Sequence, residues 1–314
     1  MEMMMIQDKA FWYTYEINTE GELTELLAEL DGLSQQSEKT LLFRGQHEAD
    51  WMITSTFYRH FSKVFKLPEI TTFKELLLYL DESTENNDYS VIHDKMILEF
   101  ADYCTKELGL IVNLPKEKDK LDANFYLSLA QHYGLPTNLI DLTKSPYVAL
   151  FFAFDYKDDM KHNSDYVCLF QTNTIKWVDT INKLVLNGQY FVDESDNELR
   201  ELASEYNFSS KNVEFPELRD PCFEHNLRIR NQQGCVYFNS DAVPYDVLMY
   251  RMKERCSLNE RRIKINRNLK PFVMDYLKGK GITHDFIYPK SELDRWKEAL
   301  EKKTSSLIEE YKNQ

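Results

Sequence analysis

The sequence predicts an α+β fold in a single globular domain, a small mixed or antiparallel sheet surrounded by helices. Three observations carry that expectation. Helical and strand-like tracts follow one another without the regular βα rhythm of a barrel or doubly wound sheet. No internal repeat and no low-complexity linker divides the chain. With 314 residues, 43% hydrophobic and 13% aromatic, the chain can bury one substantial core.

The elements follow in order. TEGELTELLAELDGL has helical apolar spacing, with Thr19 as N-cap and Glu22 completing a capping box. KTLLFRG reads as a short buried strand. Helical tracts FKELLLYLDES and VIHDKMILEFADYCTKELGL flank the polar run STENNDYS. NLPKEKDKLDANFY reads as a charged loop, and SLAQHYGL starts a helix that ends near Gly134 and Pro136. TNLIDLT reads as a short strand or tight turn. SPYVALFFAFDY, apolar nearly all round, reads as a central buried helix with Pro146 in its first turn and Asp141 or Thr143 as its N-cap.

DYVCLFQTN alternates as a strand, and the stretch from about 172 to 212 is the least patterned, as expected of an insertion. HNLRIRNQQGCVYFNS reads as a loop into a strand, VPYDVLMYRM as a helix or strand, and RRIKINRN as a strand. PFVMDYLKGKGI is a helix capped by Gly279 or Gly281, and DFIYPKSELDRWKEALEKKTSSLIEEYK closes the chain as a charged amphipathic helix with i,i+4 ion pairs. The expected organisation is an N-terminal helical segment over 1–39, a main domain over 40–295 and a C-terminal helix over 296–314.

Lys+Arg 38 against Asp+Glu 52 gives a net charge of −14, which argues against bulk binding to nucleic acid or an anionic membrane and leaves room for a local basic pocket. The N-terminus lacks a basic flank followed by a long apolar core, and no apolar run is long enough to span a bilayer; a cytoplasmic protein is expected. The five cysteines are scattered with no CxxC, as in reduced packing thiols, and the seven histidines show no metal-ligand spacing, so no metal site is predicted. Dinucleotide, P-loop, metalloprotease and serine-hydrolase signatures are missing.

Three segments hold polar residues that helix or strand patterning does not require: FRGQ with WMITSTFYR, AQHYGLPTNLIDLT, and RIRNQQGCVYF. Arg44 ends an apolar run and precedes Gly45, which lets another group approach the backbone closely. Its guanidinium can hold a phosphate or carboxylate, or tie two elements together by pairing with an acid such as Asp141. Gln131 and His132 lie at a helix end, where the histidine can serve as an acid or base or cap the last carbonyls. Gln232 and Gln233 lead into a strand and can read an amide or bridge loops.

Together these segments resemble the FRG domain family, named for the aromatic-Arg-Gly motif seen here as Phe43-Arg44-Gly45. LFRGQ with W.ITSTFYR, including Trp51 and Arg59, resembles its opening block, and residues 129–153 its most distinctive one. RIRNQQGCVYF resembles a later Arg…Gln-Gly block, and GITHDFIYPKSEL the closing segment. The chain departs from the family pattern at Asn138, Leu142 and Ser55, where arginine, tryptophan and proline are common. The resemblance implies a bacterial or prophage setting beside toxin or anti-phage defence modules.

The order of motifs is also similar, more distantly, to ADP-ribosyltransferases. That similarity implies an enzyme using NAD: Arg44 binds the phosphates, Gly45 meets the nicotinamide amide, and Ser55 or Thr56 supports the arginine. Gln233 takes the late position where active transferases usually carry glutamate, so His132, Asp141 or Glu254 would supply the acid. The candidate catalytic set is therefore His132, Asp141 and Gln233. Nucleotide binding is expected from Arg44, Gly45, Gln46, Ser55, Thr56, Arg59, Gln131, Thr143, Arg228 and Gln232. The alternative from another class is a non-catalytic module whose Arg44, Gln131, His132 and Asp141 form a polar network that recognises a nucleotide or a phage protein.

Overall fold

The computed structural model describes residues 5–6, 13–34, 41–67, 87–110, 120–157, 159–172, 217–219, 227–239, 242, 244–246, 260–290 and 292–313. The strands are β1 (Met5–Ile6), β2 (Tyr13–Ile17), β3 (Leu42–Gln46), β4 (Leu139–Thr143), β5 (Tyr166–Thr172), β6 (Glu217–Arg219), β7 (Gly234–Phe238) and β8 (Arg261–Asn266). The helices are α1 (Glu20–Ser34), α2 (Thr56–Phe61), α3 (Asn87–Lys106), α4 (Lys120–His132), α5 (Pro146–Phe154), α6 (Leu227–Asn231), α7 (Lys270–Gly279), α8 (His284–Ile287) and α9 (Lys297–Lys312).

Among the described residues the strands form one mixed sheet in the order β1-β2-β8-β5-β3-β4-β7-β6, so the fold is α+β as expected. Every pairing is antiparallel except β2 with β8, which run parallel in register Tyr13↔Arg261 to Ile17↔Ile265. The N-terminal segment thus contributes strands as well as a helix.

Among the described residues, two apolar cores lie along this sheet. One gathers α1, α5 and α7 on β2, β8, β5 and β3, with Leu26, Phe151 and Val273 packed on Ile17, Ile263 and Phe43. The other gathers α2, α3, α4 and α9, with Phe57, Phe100 and Leu307, against Leu139 of β4 and Val236 of β7. The seam between the cores is the seam between β3 and β4.

Local chemistry explains the element boundaries. The Thr19–Glu22 capping box forms in both directions, Glu22 N donating to Thr19 Oγ1 at 3.3 Å and Thr19 N to Glu22 Oε2 at 3.0 Å. Pro146 occupies the first turn of α5, where its missing N–H costs nothing. The N-cap there is Ser145, accepting from Val148 N at 3.4 Å, and neither Asp141 nor Thr143, which both lie inside β4. Of the two candidate glycines, Gly281 (φ 79°) ends the turn beyond α7, while Gly279 is its last residue.

Two segments expected as loops are helical. α4 begins at Lys120, within the stretch read as a charged loop. α6 buries none of its five residues, so it left no apolar period to read. FKELLLYLDES, the insertion around 173–212 and most of VPYDVLMYRM fall outside the described residues. No helix among the described residues is long and apolar enough to cross a membrane.

Candidate functional site

β3 pairs with β5 over five residues and β4 pairs with β7 over five, yet β3 and β4 meet at only one pair, Phe43↔Thr143. Beyond that pair the strands part, and a cavity of about 980 Å³ opens between them. Its volume is at the upper end for a small-molecule site.

Alternation along β3 sends Arg44 and Gly45 to opposite faces. Gly45 faces α5, where an added Cβ would overlap the Ala149 carbonyl oxygen and lie 2.5 Å from the Ala153 nitrogen. The glycine of the Phe43-Arg44-Gly45 motif therefore seats the buried helix directly on the strand. Its backbone still lines the cavity.

Arg44 projects into the gap. Nη1 donates to the backbone oxygen of Asp141 at 2.7 Å and so spans the parted strands. Nε is buried without a partner among the described residues. The pairing of Arg44 with Asp141 weighed from the sequence takes this form, a bridge to the main chain with no ion pair to the carboxylate. Burial pulls the Arg44 pKa down, against the pull of Asp141 and Asp246.

Two further arginines line the same cavity. Arg59, from α2, donates through Nη1 to the Thr54 carbonyl at 2.6 Å. Burial and the charge of Arg44 push it down to about 10, so it stays charged at neutral pH. Arg228, from α6, lies with its guanidinium carbon 4.5 Å from the Tyr288 ring centroid. Neither makes an ion pair with a described carboxylate. Among the described residues, four acids line the cavity: Glu48, paired with His162 and Arg267; Asp50, 3.5 Å from Lys264; Asp155, which accepts from Tyr288 OH; and Asp141, which feels the charge of all three arginines and whose surface opens to the cleft although protein surrounds it. Burial raises its pKa, opposed by Arg44, a hydrogen bond from Gln131, Arg228 and Arg59.

Several predicted ligand groups are consumed by the fold. Gln131 Nε2 donates to Asp141 Oδ1 at 2.5 Å, and its Oε1 accepts from Thr137 Oγ1 at 2.9 Å, so the amide orients the carboxylate. Ser55 caps α2 by accepting from Tyr58 N at 3.0 Å. Thr56 Oγ1 donates to Thr137 O at 3.1 Å and accepts from Thr137 N at 2.9 Å. Neither Ser55 nor Thr56 is part of the cavity lining. Thr143 lines it and donates to Gln232 O at 2.6 Å, which ties β4 to the turn before β7.

The two glutamines of that turn separate. Gln232 lines the cavity, with Nε2 donating to Ile287 O at 3.2 Å. Gln233 sits exposed in the left-handed region (φ 46°) outside the lining, and its backbone oxygen accepts from Lys144 N at 3.0 Å. Gln46 lines the cavity and is 5% exposed, with Oε1 unpartnered among the described residues. Glu254 falls outside the described residues.

His132 also lines the cavity. Burial and the positive charge of Arg228 push its pKa down to about 4, so the imidazole is neutral at pH 7. At neutral pH it is therefore a weak base with no extra proton to donate. Among the described residues no three His, Cys, Asp or Glu side chains gather as a metal site. Wall residues that the motifs did not point to include Tyr288, Phe152, His47, Glu48 and Asp155, which join the exposed Trp51. Tyr288 stood within a segment recognised only as a block, and nothing local marks its ring as part of a cleft.

One family model, FRG domain, matches residues 39–162. That span supplies Arg44, Gly45, Gln46, Arg59, Gln131, His132, Asp141 and Thr143; Arg228, Gln232 and Tyr288 come from beyond it. No curated protein and no solved structure matches the chain.

Proposed function

We propose, for a chain whose residues 39–162 are an FRG domain, that the cleft between β3 and β4 binds a phosphate-bearing nucleotide. NAD is the ligand its chemistry fits, and ADP-ribosyl transfer is the reaction. The observation that carries this reading is the gathering of Arg44, Arg59 and Arg228, none ion-paired to a carboxylate among the described residues, around Asp141 in one cavity. Three guanidiniums without a carboxylate ion pair among the described residues, in a protein of net charge −14, are costly to gather unless an anion joins them.

In this reading the arginines hold the pyrophosphate, with Arg44 fixed by its bridge to the Asp141 carbonyl. The bond between the ribose carbon and the nicotinamide nitrogen breaks, and its electron pair leaves with nicotinamide. A lone pair of the acceptor nucleophile forms the new bond to that ribose carbon, while the Asp141 carboxylate faces the positive charge developing there and accepts the proton the nucleophile gives up. Gln131 aims that carboxylate. The family resemblance sets such an activity in a toxin or anti-phage effector.

The test is to incubate the protein with NAD and cell extract as acceptor and to follow free nicotinamide, comparing Arg44→Ala and Asp141→Asn with wild type. Release that both substitutions abolish supports the transferase; no release and no thermal stabilisation by NAD rejects it. A second reading, a nucleotide-binding module without turnover, draws on the placement of Gln233 outside the cavity lining. Stabilisation by NAD without nicotinamide release is its signature.

A further inference from the structure

Resting on the proposed anion site, we infer that Tyr288 is a positioning residue that holds Arg228 in line with the bound phosphate. The anion site is therefore completed from outside the FRG-matched segment. A guanidinium stacked on an aromatic face keeps its N–H groups in its own plane, free for a phosphate, while the ring removes its freedom to swing away. Arg228 meets that condition: its guanidinium carbon lies 4.5 Å from the Tyr288 centroid and its side chain has no hydrogen bond or ion pair with a described residue.

The ring is itself held. Tyr288 OH donates to Asp155 Oδ2 at 2.8 Å, at the C-terminal end of α5, and Phe152 meets the ring edge-on with centroids 6.5 Å apart. The arginine's helix is fastened to the same segment by two hydrogen bonds. Asn231 Nδ2 donates to Phe286 O at 2.7 Å, and Gln232 Nε2 to Ile287 O at 3.2 Å. α6 and the residues around α8 are thus tied to each other, and Arg228 and Tyr288 both line the cavity.

The experiment is calorimetric titration with pyrophosphate for wild type, Arg44→Ala, Arg228→Ala, Arg228→Lys, Tyr288→Leu, Tyr288→Phe and the double variant Arg228→Ala/Tyr288→Leu. Tyr288→Leu is expected to weaken binding about tenfold, as Arg228→Ala does, and the double variant no further than either alone. Tyr288→Phe keeps the stack and binds within about twofold of wild type. Arg228→Lys keeps the charge without the planar stack and is expected to bind like Arg228→Ala, an arm that leaves the tyrosine untouched. If Tyr288→Leu or Arg228→Lys binds like wild type while Arg44→Ala does not, the positioning role is wrong and the anion site stands. If the two losses add in the double variant, the role is equally wrong. If wild type takes up no pyrophosphate, the anion site fails and the positioning role with it.

Discussion

Arg44 holds Asp141 by its backbone carbonyl oxygen, at 2.7 Å, and leaves the carboxylate of the same residue unpaired with it. The guanidinium thus closes the gap between two strands that no longer pair, while both charges stay available to a ligand. A salt bridge would have spent them on each other.

Removal of that bridge is expected to weaken the fold as well as the site. Arg44→Ala removes a charged hydrogen bond to the cleft-facing Asp141 carbonyl and should cost about 1 kcal/mol, the net worth of one hydrogen bond. Urea unfolding of the variant without ligand measures it. An unchanged midpoint would mean that the carbonyl is satisfied by solvent and that the arginine serves the ligand alone.

Gly45→Ala separates the two roles of the motif. A methyl group there collides with the backbone of α5, which cannot rotate away, so the loss should reach about 3 kcal/mol, the upper end for an overpacked core. Thermal unfolding should shift down by several degrees. A stable Gly45→Ala protein that has lost nucleotide affinity would instead place the glycine's role at the ligand.

Glu260 makes the stability depend on pH in a stated direction. The residue is buried, accepts from Thr172 Oγ1 at 2.5 Å and Tyr245 OH at 3.2 Å, and leaves Oε2 unpartnered among the described residues. Burial, with the nearby Asp246, raises its pKa to about 8 from an ordinary 4.5. The folded chain therefore keeps a proton that the unfolded chain has released. Its contribution to stability is full below the unfolded value and is lost as pH rises towards 8. Denaturant titrations between pH 5 and 9 should show wild type losing stability relative to Glu260→Gln across that window. A constant difference between the two proteins would show that Glu260 is ionised throughout.

Gln233 is expected to matter to the turn and not to the ligand. Its left-handed backbone suits glycine, so Gln233→Gly should stabilise by up to about 1 kcal/mol, and Gln233→Ala should leave NAD binding unchanged. Loss of nicotinamide release on Gln233→Ala, with binding and stability intact, would return the residue to the chemistry.

What the sequence made legible is what local chemistry decides. The Thr19–Glu22 box, the proline in the first turn of α5 and the alternation of β5 each depend on residues a few positions apart, and each forms. Arg44 and Gln131 both meet Asp141, one at its backbone oxygen and one at its carboxylate. The misses turn on distant partners. That Gly45 answers to Ala149 could not be read from either neighbourhood, and β2 finds its parallel partner β8 near the other end of the chain. In the sequence the hydroxyls of Thr54, Ser55 and Thr56 could equally serve a ligand or a cap; Ser55 is the cap of α2, and only Thr56 has a distant partner, the Thr137 backbone. Tyr288 has no motif of its own and becomes part of the site through Arg228 and Asp155.

The most direct test of the central claim is the affinity of wild type and Arg44→Ala for ADP-ribose, measured at low and high salt. Saturable binding by wild type, weakened at least about tenfold by Arg44→Ala and weakened again by salt, is the expected result. Equal affinity of the two proteins for ADP-ribose, or no binding of it by a folded wild type, would contradict an anion site built on Arg44.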